Sequence, residues 1–448
     1  MTCTDIDECV TQNGGCSADA ACTNTPASRT CACNPGFTGD GITCTDIDEC
    51  ATQNGGCSAD ATCTNMPGSR TCACNPSLVG DGITCSEPPL SVAVSSAGTC
   101  VIRPDQSRWC WGVNESGQLG DGTTTPQTGA IQVGAGARWS RMAVTGGTPD
   151  HLCGIQADGS LWCWGSNAWG QLGDGTMTTR TSPVRIGVET WREVAITVAH
   201  SCGIRSDGSL WCWGANVMHQ LGNGTASNAR APVRVGQSSN WVSVATGYDH
   251  TCATQDDGSL WCWGDNRFKQ LTNSVLEWSS TPARVGTNST WARVFAGPHH
   301  TCAIRTDGTL WCWGRNRSGQ VGVGRGEWEI WIPTQVAAGS AWVDVRLGAD
   351  TSCGVQSNGT FWCWGENSRG EFGNGTTLGA SAPVQVGAAT DWVTLATGNM
   401  IVCGMKSNGE VHCWGDNTRG QLGLHSAPER NEPEEFLPGT SWQSLSGF

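Results

Sequence analysis

Two short acidic motifs are the clearest candidates for chemistry in this sequence. Asp-Ile-Asp-Glu-Cys occurs at residues 5–9 and again at residues 46–50. Carboxylates crowded in this way offer hard oxygen ligands, which are the ligands that calcium prefers. Each motif therefore predicts a calcium site. The alternative is that the acidic residues only keep a connecting segment in solution.

Cysteines are the residues that must build the elements around these motifs. The chain has 27 cysteines, and none of them forms a Cys-x-x-Cys pair matched to a second such pair or to a His-x-x-x-His, which disfavours zinc sites. Residues 4–44 and 45–85 are near copies with six cysteines each. Segments this short cannot fold on a hydrophobic core alone, so we expect disulfides and an oxidising compartment. Six cysteines allow fifteen connectivities.

The order of these cysteines, with the tail Cys-x-Cys-x-x-Gly-Phe-x-Gly-Asp-Gly at 31–41, resembles the EGF-like domain. That resemblance implies first-to-third, second-to-fourth and fifth-to-sixth pairing. The implied pairs are Cys9–Cys22, Cys16–Cys31 and Cys33–Cys44 in the first module, and Cys50–Cys63, Cys57–Cys72 and Cys74–Cys85 in the second. Cys3 stands where Cys44 and Cys85 stand, so residues 1–3 are interpreted as the remnant of a preceding module.

The acidic motifs are similar to those of the calcium-binding EGF variety. The resemblance implies side-chain ligands from Asp5, Glu8 and Asn24 with carbonyl ligands from Ile6, Thr25 and Ser28, and in the second module side chains of Asp46, Glu49 and Asn65 with carbonyls of Ile47, Met66 and Ser69. One departure is that Arg29 and Arg70 replace the family's aromatic residue, which weakens the packing expected around the ion. Only Thr45 separates the modules, so the second site lies at their junction, where Phe37 is expected to pack.

Beyond a linker at 86–89, residues 90–448 repeat about every 50 residues. The most regular unit is Cys-x9-Cys-Trp-Gly-x-Asn, which occurs seven times and is followed by a turn similar to Gly-Gln-Leu-Gly. A Pro-Val-x-Val segment and a Trp-x-x-Val-Ala-x-Gly segment complete each repeat. Several short strands with this period predict a propeller or a solenoid.

The cysteine spacing within the repeat predicts a hairpin. In the third repeat Ser206-Asp207-Gly208 forms a three-residue loop with glycine in the left-handed position, which places Cys202 opposite Cys212. Gln106 replaces this glycine in the first repeat. We therefore predict one disulfide within each repeat: Cys100–Cys110, Cys153–Cys163, Cys202–Cys212, Cys252–Cys262, Cys302–Cys312, Cys353–Cys363 and Cys403–Cys413.

These repeats resemble the regulator-of-chromosome-condensation family, whose fold is a seven-bladed propeller. The predicted fold is thus all-β, a seven-bladed β-propeller at 90–448 preceded by two small disulfide-rich EGF-like domains. Either Val92-Ala93-Val94 or the segment from Trp442 is expected to complete the first blade and close the ring, and we favour the C-terminal segment. His151, His200, His250 and His300 share one position in four repeats, where the family suggests structural hydrogen bonds rather than a ring of metal ligands.

Twenty of the 24 tryptophans lie in the repeat motifs and are expected to be core. Of the other four, Trp278, Trp328 and Trp331 lie in the variable loops 271–280 and 322–332, and Trp169 lies in a turn. Exposed tryptophans rimmed by charge are typical of binding hot spots, so we predict that these three bind a partner. The alternative is that Trp278 and Trp331 only cover the rims of their blades.

Composition limits the possible functions. The net charge of −14 argues against nucleic acid and anionic membranes as partners, and no stretch approaches 18 apolar residues. No Gly-x-Ser-x-Gly, His-Glu-x-x-His or phosphate loop occurs. We therefore expect a non-enzymatic extracellular or cell-surface protein, a propeller on a calcium-binding EGF stalk that binds a protein, surface or matrix ligand. The alternatives are a secreted enzyme inhibitor that acts through the propeller face, and a propeller hydrolase.

Overall fold

The structure is a computed structural model, and it describes residues 5–59, 61–74, 79–80, 85–86, 91–94, 98–103, 105–144, 151–272, 276–398, 400–418, 422 and 429–435. The chain divides into two compact units, Met1–Pro88 and Pro89–Phe448. The helical segments among the described residues are 3-10 turns of three or four residues. None of the described helices is long and apolar enough to cross a membrane.

The first unit is built from four small antiparallel hairpins, β1–β2, β3–β4, β5–β6 and β7–β8. The 3-10 turns cover Glu8–Val10, Gln12–Gly15, Glu49–Ala51 and Gln53–Gly56. The strands are β1 (Ala20–Thr25), β2 (Ser28–Cys33), β3 (Phe37–Gly39), β4 (Cys44–Asp46), β5 (Ala61–Met66), β6 (Ser69–Cys74), β7 (Val79–Gly80) and β8 (Cys85–Ser86).

Five disulfides hold these hairpins together, and they are pairs that the EGF resemblance implies: Cys9–Cys22, Cys16–Cys31, Cys33–Cys44, Cys50–Cys63 and Cys57–Cys72. The side chains of the sixth predicted pair, Cys74–Cys85, lie outside the described residues. Cys3 and the predicted remnant at 1–3 lie outside them as well.

The second unit consists of short strands that follow one another along the chain. They are β9 (Ser91–Val94), β10 (Gly98–Ile102), β11 (Arg108–Gly112), β12 (Gln127–Gln132), β13 (Trp139–Val144), β14 (His151–Gln156), β15 (Ser160–Gly165), β16 (Arg180–Ile196), β17 (His200–Arg205), β18 (Leu210–Gly214), β19 (Ala229–Arg234), β20 (Trp241–Thr246), β21 (His250–Gln255), β22 (Leu260–Asp265), β23 (Trp278–Arg284), β24 (Trp291–Ala296), β25 (His300–Arg305), β26 (Leu310–Arg315), β27 (Glu329–Val336), β28 (Trp342–Leu347), β29 (Thr351–Gln356), β30 (Phe361–Gly365), β31 (Ala380–Gln385), β32 (Trp392–Thr397), β33 (Ile401–Lys406), β34 (Val411–Asp416) and β35 (Glu429–Glu435).

Each cysteine hairpin lies at the centre of a four-stranded antiparallel blade. Five blades are separate sheets, and two share the long strand β16, whose first part pairs with β15 and whose second part pairs with β17. We number the blades by their hairpins and call their strands first to fourth in chain order. The first strands of successive blades contact one another, and β9 contacts both β13 and β32, which closes the ring. The described strands therefore form a closed β-propeller.

The hairpin register follows from the turn between the cysteines. Cys202 lies opposite Cys212, and each of the seven hairpins has the equivalent cross-strand disulfide. Gly208 has a φ of +81° at the left-handed position of the loop. Gln106 takes the same conformation in the first hairpin, with a φ of +67°, so the hairpin survives there without glycine.

The first blade corrects one expectation. Its first strand is β9, which pairs Ala93 with Cys100 just as β13 pairs Ala143 with Cys153 in the second blade. The preference for the C-terminal segment in this slot was therefore wrong, and that segment, which begins at Trp442, lies outside the described residues. Ring closure does not need a strand from the far end of the chain, because the side chains of blades one and seven pack together. Val101 and Trp111 share one buried cluster with Ile401 and Met405.

The hydrophobic core lies between the blades, and the repeat motifs explain how. The indole nitrogen of Trp213 donates a hydrogen bond to the carbonyl oxygen of Gln171, 2.8 Å away in the preceding blade. A Cβ atom on Gly173 would come within 2.7 Å of the same indole nitrogen. The Gly-Gln-Leu-Gly turn of one blade thus packs against the Trp-Gly unit of the next blade, and this contact joins the two blades.

Candidate functional site

The most variable loops of the propeller lie at the same edge of each blade. In an antiparallel blade, the loop after the first strand and the loop after the third strand lie at the same edge. In blade four, Asp265 N–H donates to Asp249 O at 2.8 Å, and Asn266 N–H donates to Glu277 O at 2.7 Å. The first bond ties the two loops together, and the second closes the base of the long loop that follows the third strand. We call this edge the loop face.

The asparagine of the Trp-Gly-x-Asn unit positions the long loop on this face. Its side-chain oxygen accepts a hydrogen bond from the turn, and its amide group donates to carbonyls of the loop. In blade four Asn266 accepts from Leu271 N at 3.0 Å and donates to Leu276 O at 2.9 Å. In blade five Asn316 donates to Glu327 O at 2.9 Å. The motif thereby fixes the loop segments that lead into Trp278 and Trp328.

The three tryptophans of the predicted partner site are exposed on the loop face. Relative exposures are 51% for Trp278, 70% for Trp328 and 55% for Trp331. Trp278 begins the fourth strand of blade four, and Trp331 lies near the start of the fourth strand of blade five. The three rings are therefore accessible to solvent, and they lie on neighbouring blades. That they bind a partner stays a prediction.

Each of the three indoles is in contact with a basic or imidazole side chain. The ring of His219 stacks on Trp278 with centroids 4.2 Å apart and planes 23° apart. Lys269 Nζ lies 5.1 Å from the centre of the Trp331 ring, and the Arg317 guanidinium lies 5.1 Å from that of Trp328. Sequence reasoning missed these three partners. The available signal was that His219 and Lys269 replace the first glycine of the Gly-Gln-Leu-Gly turn.

The row of histidines links neighbouring blades. Nε2 of His151, His200, His250 and His300 lies 2.9–3.0 Å from a Ser or Thr hydroxyl of the following blade. Burial lowers the pKa of each imidazole to about 3, so all four are neutral at ordinary pH. Among the described residues no group of three or more His, Cys, Asp or Glu side chains is placed to hold a metal ion. These contacts fit the structural interpretation of the row.

The two EGF-like modules place the same residues together at each acidic motif. In the first, Asp5 accepts hydrogen bonds from Asn24 Nδ2 at 2.9 Å and from Ala27 N at 2.7 Å. In the second, Asp46 accepts from Asn65 Nδ2 at 2.7 Å and from Gly68 N at 2.6 Å. Rotating either amide by 180° would direct its oxygen to the position where a cation ligand is expected.

A second observation tests whether these residues fit calcium. Oε2 of Glu8 and Oε2 of Glu49 are each shielded from solvent and have no hydrogen-bond partner. A carboxylate oxygen in that position is costly unless a donor or cation satisfies it. The carbonyl-bearing residues Thr25 and Ser28 pair across the end of the β1–β2 hairpin, beside Asn24. Each motif thus offers two carboxylates, an amide and backbone carbonyls, which are oxygen ligands of the kind that calcium takes.

The arginine that departs from the calcium-binding pattern packs locally. Cδ of Arg29 lies so close to Gly14 that a Cβ there would come within 2.6 Å of it, and Arg70 has the same relation to Gly55. The arginine stem thus covers the two-glycine turn that precedes the second cysteine.

A match along most of the chain identifies the second unit. The family model of the RCC1-like domain matches residues 141–446. The chain belongs to the RCC1-like domain family. A model of the EGF domain matches residues 9–44 and 50–85. Together these matches agree with the two kinds of repeat inferred from the sequence.

Solved structures share the fold of the RCC1-like propeller. Prp20p from Saccharomyces cerevisiae is 21% identical, with a TM-score of 0.66 over 73% of this chain and 85% of that chain. Human WBSCR16 is 19% identical, with a TM-score of 0.65 over 74% of this chain and 93% of that chain. Likeness at this level of identity establishes the fold alone.

The EGF-like modules have their own relatives. Signal peptide, CUB and EGF-like domain-containing protein 3 of mouse, like that of human, is 54% identical over 37 residues. That stretch is 8% of this chain and 4% of the relative, so the chain spans a small part of the curated relatives it matches.

Acidic side chains on the inner strands of the RCC1-like propeller are engaged by their neighbours. Glu193 accepts a hydrogen bond from Val244 N at 3.2 Å, and burial raises the pKa of its carboxyl group. Asp344 forms ion pairs with Arg293 at 3.2 Å and Arg346 at 2.7 Å. These two carboxylates join adjacent first strands, and they give no support to the alternative of a hydrolase with free acids in its channel.

Proposed function

We propose that this chain is a non-enzymatic binding protein of the cell exterior, in which the RCC1-like propeller binds a protein, surface or matrix ligand. The observation that carries the proposal is the group of three exposed indoles on the loop face of blades four and five. Large exposed aromatic rings with charged neighbours are the usual anchors of a binding surface. The twelve described disulfides favour an extracellular location.

Relatives support binding in general terms. Prp20p has binding properties toward Gsp1p and histones. An RCC1-like propeller can therefore serve as a binding surface, although fold alone does not select the partner. The net charge of −14 argues against nucleic acid as the partner of this chain.

Removing the three rings should abolish attachment. The fluorescently labelled full chain is applied to the cell surfaces and extracellular matrix of its source organism, beside a variant with Trp278→Ala, Trp328→Ala and Trp331→Ala. Each anchor of this kind contributes about 2 kcal/mol or more, so retention should fall by well over tenfold. Trp169→Ala is the matched control, because Trp169 is also exposed, at 45%, but lies on blade two, whereas the three rings lie on blades four and five. Undiminished retention of the triple variant would refute the proposal.

We also propose that both EGF-like modules bind calcium, through the ligands inferred above, and that the second ion stiffens their junction. The structure offers a contact for it to stabilise, because the Phe37 ring lies against Gly68 of the second module. A Cβ on Gly68 would come within 2.6 Å of that ring. Asp46 accepts from the backbone of the same glycine, so its ion would fix the surface on which Phe37 packs.

Calcium should therefore protect the junction from proteolysis, with a requirement in roughly the millimolar range that is typical of extracellular modules. Asp46→Ala and Glu49→Ala should each make cleavage between the modules equally fast with calcium and with a chelator. Asp5→Ala is the matched control, since it removes the equivalent carboxylate from the first site and should leave the junction protected. If the unaltered chain shows the same cleavage rate with and without calcium, the proposed stiffening is wrong.

A further inference from the structure

Two residues of the loop face keep a backbone conformation that normally requires glycine. The first position of the Gly-Gln-Leu-Gly turn is left-handed in every blade where it is described, with φ of +78° at Gly170 and +83° at Gly319. In blades three and four the position is occupied by His219 and Lys269, each with a φ of +63°. Side-chain-bearing residues adopt this region at a cost, so their presence at two successive positions needs a reason.

The structure supplies that reason in the next blade. The His219 ring stacks on Trp278, and the Lys269 ammonium lies over Trp331. In both cases the turn of one blade contacts the fourth strand of the next blade. Where the turn has Gly170, a Cβ would approach the Cα of Arg230 to 2.8 Å, so that contact has no room for a side chain. The left-handed side chains therefore occur together with exposed tryptophans and lie against their rings.

An indole held in this way has one face covered and leaves the other for a ligand. Trp278 is still about half exposed although His219 stacks on it. A sugar ring places its C–H face on such a flat surface while its hydroxyl groups point outward to water and polar side chains. Holding the ring before binding also lowers the entropy lost when the ligand arrives.

The basic side chains on the loop face indicate which kind of sugar would bind there. Arg267 and Arg315 on the same face are paired with Asp265 at 2.7 Å and Asp350 at 3.4 Å. Lys269 and Arg317, which lie over the tryptophans, have no ion-pair partner within 4.0 Å among the described residues. A ligand that brings its own carboxylates to the indoles would satisfy these two cations.

From these observations we infer that the loop face of blades three to five binds a polysaccharide that carries carboxylates, such as a chain of uronic acids. Trp278 and Trp331 stack on sugar rings, Lys269 and Arg317 pair with the carboxylates, and His219 is a positioning residue. This inference rests on the proposed binding function and names its ligand. A protein ligand on the same surface is the competing outcome.

Calorimetric titration of the full chain with oligogalacturonate, in the presence of a chelator to remove calcium, tests the inference. Binding should be measurable and should weaken with salt. His219→Gly introduces the glycine that every blade except blades three and four has at this position, so the thermal midpoint should hold or rise. Affinity should fall by roughly tenfold because Trp278 loses its orientation. Lys269→Met keeps a side chain beside Trp331 but removes the charge, and should also weaken binding. Trp169→Ala should bind as the unaltered chain does.

Three results would overturn the inference. If the neutral sugar cellohexaose binds as tightly as oligogalacturonate, the cations have no role in binding. Unchanged affinity in His219→Gly would remove the role of the positioning residue. Failure to bind oligogalacturonate, combined with tryptophan-dependent retention on matrix from which polysaccharide has been digested, would assign the surface to a protein ligand. In that last case the proposed binding function stands. If neither oligogalacturonate binding nor retention on the matrix depends on the tryptophans, the proposed binding function is rejected as well.

Discussion

Replacing Arg108 by methionine is expected to stabilise the propeller. Arg108 occupies the strand position that holds Leu161, Leu210 and Leu260 in later blades, and like them it is completely buried. None of its three guanidinium nitrogens has a hydrogen-bond partner, and burial lowers its pKa to about 9. A buried, unpaired charge of this kind is destabilising relative to an apolar side chain of similar volume.

Two indoles offset part of that cost. The guanidinium carbon lies 4.1 Å from the ring centre of Trp164 and 4.8 Å from that of Trp139. Cation–π contacts of this kind contribute about 1–2 kcal/mol, which is less than the cost of removing the charge from water. Methionine fills a similar space and also packs well on aromatic rings, so the net gain in unfolding free energy should be about 2 kcal/mol.

Urea unfolding of the full chain with its disulfides intact measures this change. The reciprocal variant Leu210→Arg, which puts the charge into an interface that evolved without it, should lose about 4 kcal/mol or more. Arg108→Lys keeps the charge but loses the planar stack, and should be less stable than the unaltered chain. A lower urea midpoint for Arg108→Met would show that the two stacks outweigh the cost of burial.

Acid should unfold the propeller over a pH range set by its buried histidines. His151, His200, His250 and His300 have native pKa values of about 3 because burial excludes the charged form, against about 6.5 in an exposed chain. Between these two values the unfolded chain binds more protons than the native one, so stability falls as pH falls. The loss begins near pH 6.5 and continues toward pH 3.

The expected effect is large. Each histidine costs about 1.4 kcal/mol per pH unit below 6.5, which is about 2 kcal/mol at pH 5 and about 8 kcal/mol for the four together. Glu193, Asp249 and Glu371 act in the opposite direction, because burial raises the pKa of each carboxyl group. Their native forms take up protons before the unfolded chain does, so they stabilise the fold as pH falls through the raised values.

A variant isolates the histidine contribution from these carboxyl groups. Urea midpoints of the unaltered chain and of His250→Gln are compared from pH 8 to pH 4. Glutamine can still bond Thr301, the partner of His250 Nε2 at 3.0 Å, but it does not titrate. The variant should lose about 1.4 kcal/mol less per pH unit between pH 6 and pH 4. Parallel pH profiles for the two proteins would show that His250 does not titrate as its burial implies.

Much of this fold could be predicted because its information is local. The spacing of nine residues between Cys202 and Cys212, with Gly208 in the loop between them, determines a hairpin register whatever surrounds it, and the structure has that register. The seven repeats then specify a propeller, since each blade buries its two faces only against its neighbours. The exposed tryptophans were predictable as well, because they fall outside the repeat pattern that accounts for the buried ones.

Other features depended on contacts between blades, which no local pattern encodes. Both ends of the chain carry a segment suited to the first strand of blade one, and the sequence alone led to the wrong choice; in the structure Ser91–Val94 occupies it. Arg108 is visible in the sequence as a departure from leucine, but its complete burial between Trp139 and Trp164 follows from the packing of blade two. His219 likewise acts on Trp278 of the next blade. The sequence by itself determined the hairpins and their repetition through short-range geometry, whereas only the tertiary structure decided which side chains meet where one blade packs on another.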